Sequence, residues 1–300
     1  MISLAPWKYR NVLKCDGGPI EKISAVSISE GENQGYQAHA YLLSNLRTNK
    51  PWKPQLYGEA DGTGFARHRN QAVFRAISEA LERWAYLHTF EADNRSAFGF
   101  NIDPTTSGMA AYPGISSHGA ASFARLEAIE RWSLCAWWEG AIYAKIKSDP
   151  SNLGITIILL AAPWKDVAVT ILHKRSAKKN LGCYGFAAAN DVETAVAKAK
   201  VELFRNEVVL DECESVSFVE SMGLPRTEQR LLYFSGYQGI ENFMCRIQNL
   251  NTRQRIQMEP PMLVDKEIRG PWSKYGTVWR SLFQPVSSRF LTDGADYFLF

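Results

Sequence analysis

A hexapeptide that occurs twice constrains this chain more than any other feature. It reads Glu-Ala-Leu-Glu-Arg-Trp at 79–84 and Glu-Ala-Ile-Glu-Arg-Trp at 127–132. Around the first copy, Ala72, Ala76, Ile77, Ala80, Leu81 and Trp84 recur at helical spacing, and no proline interrupts residues 66–91. A helix is expected there. A second is expected over 121–140, stopping near Gly140. A third is expected over 191–211, with Asp191 as its N-cap and an apolar stripe from Thr194 to Leu210. Residues i, i+3 and i+4 share one helix face. Glu79, Glu82 and Arg83 therefore form one cluster, and Glu127, Glu130 and Arg131 form another.

The residue types point to a chemistry. Two carboxylates one helical turn apart suit a hard cation. Arginine takes phosphate oxygens bidentately. Two such helices facing each other make a cradle for a nucleoside triphosphate carried with magnesium. The metal is essential to that reading, since bare carboxylates repel phosphate. Glu202 and Arg205 on the third helix can complete the site from another side. The glycine-rich stretch 58–64 reads as a turn whose Gly62-Thr63-Gly64 offers backbone N–H groups to phosphate ahead of a helix. A surface helix laced with Glu–Arg pairs accounts for the same residues without a ligand, and that alternative stays open. Other chemistries lack their patterns. There is no Walker loop and no dinucleotide fingerprint in its full context. Di-iron bundles need Glu-x-x-His, and none of the five histidines stands in that position. No nucleophile elbow surrounds Ser116 and Ser117, so His118 reads as a loop hydrogen-bonder.

Composition narrows the class. A net charge of +3 argues against a nucleic-acid binder. The densest basic run, His173-Lys174-Arg175 with Lys178-Lys179, reads as a solvated loop. The five cysteines are widely spaced, which fits reduced thiols in a cytoplasm rather than a disulfide framework. The start of the chain lacks the apolar core of a signal peptide. The longest apolar stretch, 155–163, is about half a membrane span. A soluble cytoplasmic protein without a membrane role is expected. Strands are expected at 21–29, 154–162 and 167–173, and a further helix near 226–234. Residues 92–119 read as loop. Pro51-Trp52-Lys53-Pro54 reads as a breaker. No linker forces a boundary, so one α/β (α+β) domain over residues 1–300 is expected.

The motifs resemble the YcaO family. Its members share a Gly-x-Gly turn (here Gly62-Thr63-Gly64) and two helices with Glu-x-x-Glu-Arg (Ala76 to Trp84 and Leu126 to Trp132). They also share a third helix with a Glu-Leu run (Ala195 to Asn206). Ser116-Ser117-His118-Gly119 and the segment 133–138 most resemble the cyclodehydratase subunit that makes thiazoles and oxazoles in microcin-type peptides. The likeness spans about residues 55–212, with 1–54 and 213–300 as peripheral strands and tail. It implies a YcaO-like α/β domain with mixed sheets that uses ATP and Mg2+ to modify backbone amides of a precursor peptide. Azoline formation through a phosphorylated amide oxygen is its leading outcome, with thioamide and amidine formation as others. It implies Glu79, Glu82, Glu127 and Glu130 as magnesium ligands. Arg83, Arg131, Gly62, Thr63, Gly64 and Glu202 are then nucleotide contacts. It also implies a separate partner protein, similar to an adenylating enzyme, that grips the leader peptide, and it allows a homodimer.

Several positions depart from the family pattern. Arg75 stands where a small residue is usual, four before the first motif glutamate. Gly119 replaces an acidic residue, Thr63 a lysine and Arg205 a glutamine. The tail ends Asp296-Tyr297-Phe298-Leu299-Phe300 instead of in a proline-rich arm. These departures allow the alternative of a degenerate, non-catalytic subunit that binds a peptide or partner.

Overall fold

The computed structural model describes residues 2–30, 33–47, 56, 58–147, 154–212, 223–248, 256 and 258–298. The breaker at 51–54, Cys213 and the last two residues lie outside that set. The chain divides into two compact units. Unit 1 comprises Met1–Lys53, Gly58–Ala128 and Met262–Leu282, and unit 2 comprises Pro54–Tyr57, Ile129–Pro261 and Phe283–Phe300. Neither is a continuous stretch, which is why no linker shows in the sequence.

Unit 1 holds two sheets. Strands β1 (Ile20–Glu30), β2 (Asn33–Leu42) and β3 (Gly62–Ala66) form an antiparallel sheet in that order. Helix α1 (Arg69–Phe90) packs on it through Ala72, Ala76, Ile77, Ala80, Leu81 and Trp84, as the helical spacing predicts. Strand β4 (Ser107–Tyr112) lies where the sequence suggests loop. Its Met109, Ala110 and Ala111 are buried, and it pairs antiparallel with the later strand at 277–283. A six-residue apolar segment needs little periodicity once both faces are covered.

Helix α2 (His118–Trp138) starts three residues earlier than expected. Ser117 and His118 therefore stand at its entry rather than in a free loop. Unit 2 carries the antiparallel meander β5 (Ala144–Lys147), β6 (Thr156–Leu160), β7 (Ala168–Arg175) and β8 (Gly182–Ala189). Helix α3 (Val192–Glu212) packs on β8 and β7 through Ala195, Ala199, Leu203 and Leu210. Asp191 caps it as expected, accepting the Thr194 N–H at 2.7 Å. Helices α4 (Arg226–Ser235) and α5 (Tyr237–Gln248) follow, the second of which the sequence reading omits. In unit 1, β9 (Met262–Ile268) and β10 (Thr277–Phe283) complete the sheet of order β4, β10, β9. None of the described helices is long and apolar enough to cross a membrane.

The basic run at 173–179 is not a solvated loop at its start. His173, Lys174 and Arg175 end β7. The Lys174 ammonium meets the Glu207 carboxylate at 2.5 Å. His173 is buried among Tyr184 and Phe243, and its Nε2 has no hydrogen-bond partner. Burial pushes its imidazole down to about 4, and the nearby Arg175 charge adds to that. The unfolded chain binds this proton below about pH 6.5, whereas the folded chain resists it until about pH 4. Stability is therefore complete above pH 6.5 and falls as the pH drops through that window, by about 3 kcal/mol from this residue. His173→Phe is expected to flatten the pH dependence of the urea midpoint between 6.5 and 4 by about that amount. Parallel curves for both proteins would contradict the assignment.

Candidate functional site

The local geometry around the motif glutamates follows one rule in three places. In unit 1, Glu79 on α1 accepts the Thr63 backbone N–H at 2.9 Å and the Thr63 hydroxyl at 3.0 Å, both on Oε2. Also in unit 1, Glu127 on α2 accepts the Met109 N–H at 2.9 Å. In unit 2, Glu202 on α3 accepts the Phe186 N–H at 2.8 Å. Each donating strand, β3, β4 or β8, is at the edge of its sheet. An edge strand presents unpaired N–H groups, and a carboxylate from the following helix satisfies them here.

A glycine makes each contact possible. A Cβ on Gly62 would stand 2.1 Å from the Ala76 carbonyl oxygen, one on Gly108 the same distance from Ala124 O, and one on Gly185 2.2 Å from Ala199 O. Each strand thus lies directly on helix backbone, and the next strand residue donates to a glutamate three positions after the contacted alanine. The twin motif is therefore two of three copies. The third, Ala199-Lys200-Val201-Glu202, carries Arg205 and Asn206 where the others have Glu and Arg.

This corrects one expectation. Gly62-Thr63-Gly64 is part of strand β3, not a turn. Its glycines serve close packing, since a Cβ on Gly64 would stand 2.2 Å from Ala72 O. Thr63 gives both its N–H and its hydroxyl to Glu79.

The remaining sequence-nominated residues divide between the units. Glu82, half-buried, and Arg83, exposed, lie on α1 in unit 1. Glu130 and Arg131, both half-buried, belong to unit 2 with Glu202 and Arg205. Within unit 2, Glu130 accepts the Ala188 N–H at 3.0 Å. Phe186 and Ala188 are alternate residues of β8, so their outward N–H groups are about 7 Å apart. One strand edge therefore holds two carboxylates side by side. The tryptophan that closes each hexamer is core. Trp84 packs edge-on against Trp272 at 5.6 Å, and Trp132 against Trp164 at 5.2 Å.

Gly119 also has a structural reason. A Cβ there would stand 2.4 Å from Cδ1 of Tyr112, whose ring packs on Phe123 at 5.5 Å. Tyr112 thus fills the space that a side chain at 119 needs. Exposed His118 lines a cavity of about 310 Å³ with Ile2, Tyr112, Ile115 and Ser116.

Two contacts escape sequence reasoning. Arg75 donates from Nη1 to the Phe65 carbonyl. The Asp265 carboxylate of β9 accepts from Arg125 Nε at 3.1 Å, from Trp279 Nε1 at 2.7 Å and from Ser281 Oγ at 2.8 Å. Burial raises the Asp265 carboxyl, but these donors outweigh it and hold the group below its usual range. Nothing in the sequence spacing links residues 125 and 265.

The architecture has counterparts among solved structures. The chain matches the E. coli microcin synthetase McbBCD complex at 11% identity and TM-score 0.52, covering 88% of this chain and 87% of that one. It matches a heterocyclase in complex with substrate and cofactor at 12% identity and TM-score 0.53, covering 94% of this chain and 52% of that one. The fold is YcaO-like. A YcaO from Methanopyrus kandleri, bound with AMPPCP and Mg2+, aligns at 16% identity and TM-score 0.44, over 65% of this chain and 64% of that one. No family model and no curated protein matches the sequence. What the chain shares with the microcin synthetase and heterocyclase structures is the fold.

Proposed function

We propose that this chain is an ATP- and magnesium-dependent modifier of peptide backbone amides in the biosynthesis of a ribosomally made peptide. Cyclodehydration of Cys, Ser or Thr to azolines is its leading reaction. The observation that carries this reading is the threefold grip of strand-edge N–H groups by Glu79, Glu127 and Glu202. A carboxylate held by a strand-edge N–H is pre-organised in position. Such fixed groups suit phosphoryl transfer, where positioning and charge neutralisation supply most of the catalysis.

The donor set suits magnesium brought by a nucleotide. Among the described residues, no group of three or more His, Cys, Asp or Glu could hold a metal ion by itself. Magnesium delivered with phosphates needs only one or two carboxylates from the protein. Glu79, Glu82, Glu127 and Glu130 are the residues that would hold it, and it supplies the positive charge that lets phosphate approach them. Arg83 and Arg131 are the phosphate contacts, and Glu202 orients the β8 edge beside Glu130. A leader-binding partner protein and a precursor peptide belong to this reading.

A non-catalytic peptide- or partner-binding role is the second reading. Gly119 favours it, because Tyr112 occupies the space of the acidic residue usual in the family. Calorimetric titration with ATP and magnesium tests the first reading. Binding is expected in the micromolar range. Glu82→Ala or Glu130→Ala is expected to weaken it by about thirtyfold, near 2 kcal/mol. Absence of heat in the parent protein, or variants that bind as it does, would sink the nucleotide site. Phosphate release with peptide and partner separates the catalytic reading from the binding one.

A further inference from the structure

The three copies of the strand–helix unit differ in one respect that bears on charge. In the first copy, Arg75 stands one helical turn before Glu79 and donates to the Phe65 carbonyl. In the third, Lys198 stands one turn before Glu202, and its Nζ meets the Ala188 carbonyl at 3.4 Å. Phe65 and Ala188 are equivalent, each three residues after the strand glycine that touches the helix. In the second copy the same helix position is Phe123, which packs on Tyr112. A cation at i and a carboxylate at i+4 share one helix face. At Ala188 the arrangement is tightest. Glu130 accepts the N–H of that residue, Lys198 approaches its carbonyl, and Glu202 holds the N–H two residues before.

We propose that Lys198 is a built-in cation of the carboxylates on the β8 edge of unit 2. It offsets part of the glutamate charge and gives the site affinity for a polyphosphate before any metal is bound. The inference rests on the nucleotide reading above and deepens it. An ammonium is a compact point charge on a flexible stem, able to leave a carbonyl for a phosphate oxygen. The same charge opposes a divalent cation bound to Glu130 without nucleotide. Lys198 therefore acts in opposite directions on the two ligands, which a merely structural contact does not do.

The test uses the full chain, with Mn2+ alone as one probe and ATP in EDTA as the other. Lys198→Gln is expected to bind Mn2+ several-fold tighter and metal-free ATP about tenfold weaker, while Lys198→Arg keeps both parent values. Lys198 is exposed, so Lys198→Gln should keep the parent circular dichroism spectrum. If Lys198→Gln shifts neither ligand while Glu130→Ala weakens magnesium–ATP binding as expected, the nucleotide site stands and the built-in cation falls. If the parent binds no ATP, the polyphosphate role of Lys198 falls together with the nucleotide reading, even where Lys198→Gln tightens Mn2+. If neither protein binds either probe, both are overturned.

Discussion

Phe298→Ala is expected to lower the unfolding free energy of the chain by about 3–5 kcal/mol. Phe298 is fully buried in unit 2. Its ring centroid lies 5.0 Å from those of Phe234 and Phe243, 5.3 Å from Tyr184 and 5.7 Å from Trp137 and Trp138. Truncation leaves a void in an aromatic cluster too interlocked to collapse. The tail around it is held independently. The Tyr297 hydroxyl donates to Glu139 at 2.7 Å. Fully buried Arg230 donates to the carbonyls of Phe290 at 2.6 Å, Asp293 at 3.0 Å and Gly294 at 3.1 Å. Burial and the neighbouring Arg226 charge push this guanidinium down to about 10, yet it stays charged at neutral pH. Leu291→Ala, at a side chain 41% exposed, is the control, with an effect of about 0.5 kcal/mol or less. Urea unfolding of the two variants decides the matter. A Phe298→Ala cost below about 1 kcal/mol would show that the tail is not a core element. The segment around Phe298 is thus a packing element of unit 2.

Replacing Gly62 or Gly185 with valine is the second large effect. A single Cβ at either place meets a helix carbonyl oxygen at 2.1 or 2.2 Å, and neither backbone can yield without parting strand from helix. A loss of about 3 kcal/mol or more is expected for Gly185→Val, at the upper end of overpacking costs. Separation also pulls the Phe186 N–H away from Glu202 and disorders the β8 edge. Gly185→Ala is expected to cost less but to move in the same direction. Chemical denaturation with unchanged midpoints would contradict the close packing.

The three long helices were legible because their apolar periods run over five turns or more, which few alternatives mimic. The glycine pair at 62 and 64 was misread because Gly-x-Gly marks a turn and a close backbone approach equally well. Only the facing Ala72, Ala76 and Ala80 separate the two, and they lie in another element. The third helix is nominated through Glu202 but not as a copy of the hexamer, because Arg205 and Asn206 break the Glu-Arg string. Its remaining signal is an alanine three residues before a glutamate, preceded by a strand glycine. His173 was hidden by its charged neighbours, since a run of basic letters does not show which one a strand turns inward. The carboxylate clusters at 79–83 and 127–131 could be named from spacing alone. Their anchoring on strand edges could not, because the donors Thr63, Met109, Phe186 and Ala188 are backbone groups without a sequence signature.

Amide hydrogen exchange during titration with ATP and magnesium tests the carboxylate site most directly. The N–H groups of Thr63, Met109, Phe186 and Ala188 are expected to exchange about tenfold more slowly in the bound protein, because a ligand on the glutamates stiffens the bonds they accept. Glu130→Ala is expected to remove that protection at Ala188. Unchanged exchange at all four amides, with saturating nucleotide and magnesium present, would contradict the site.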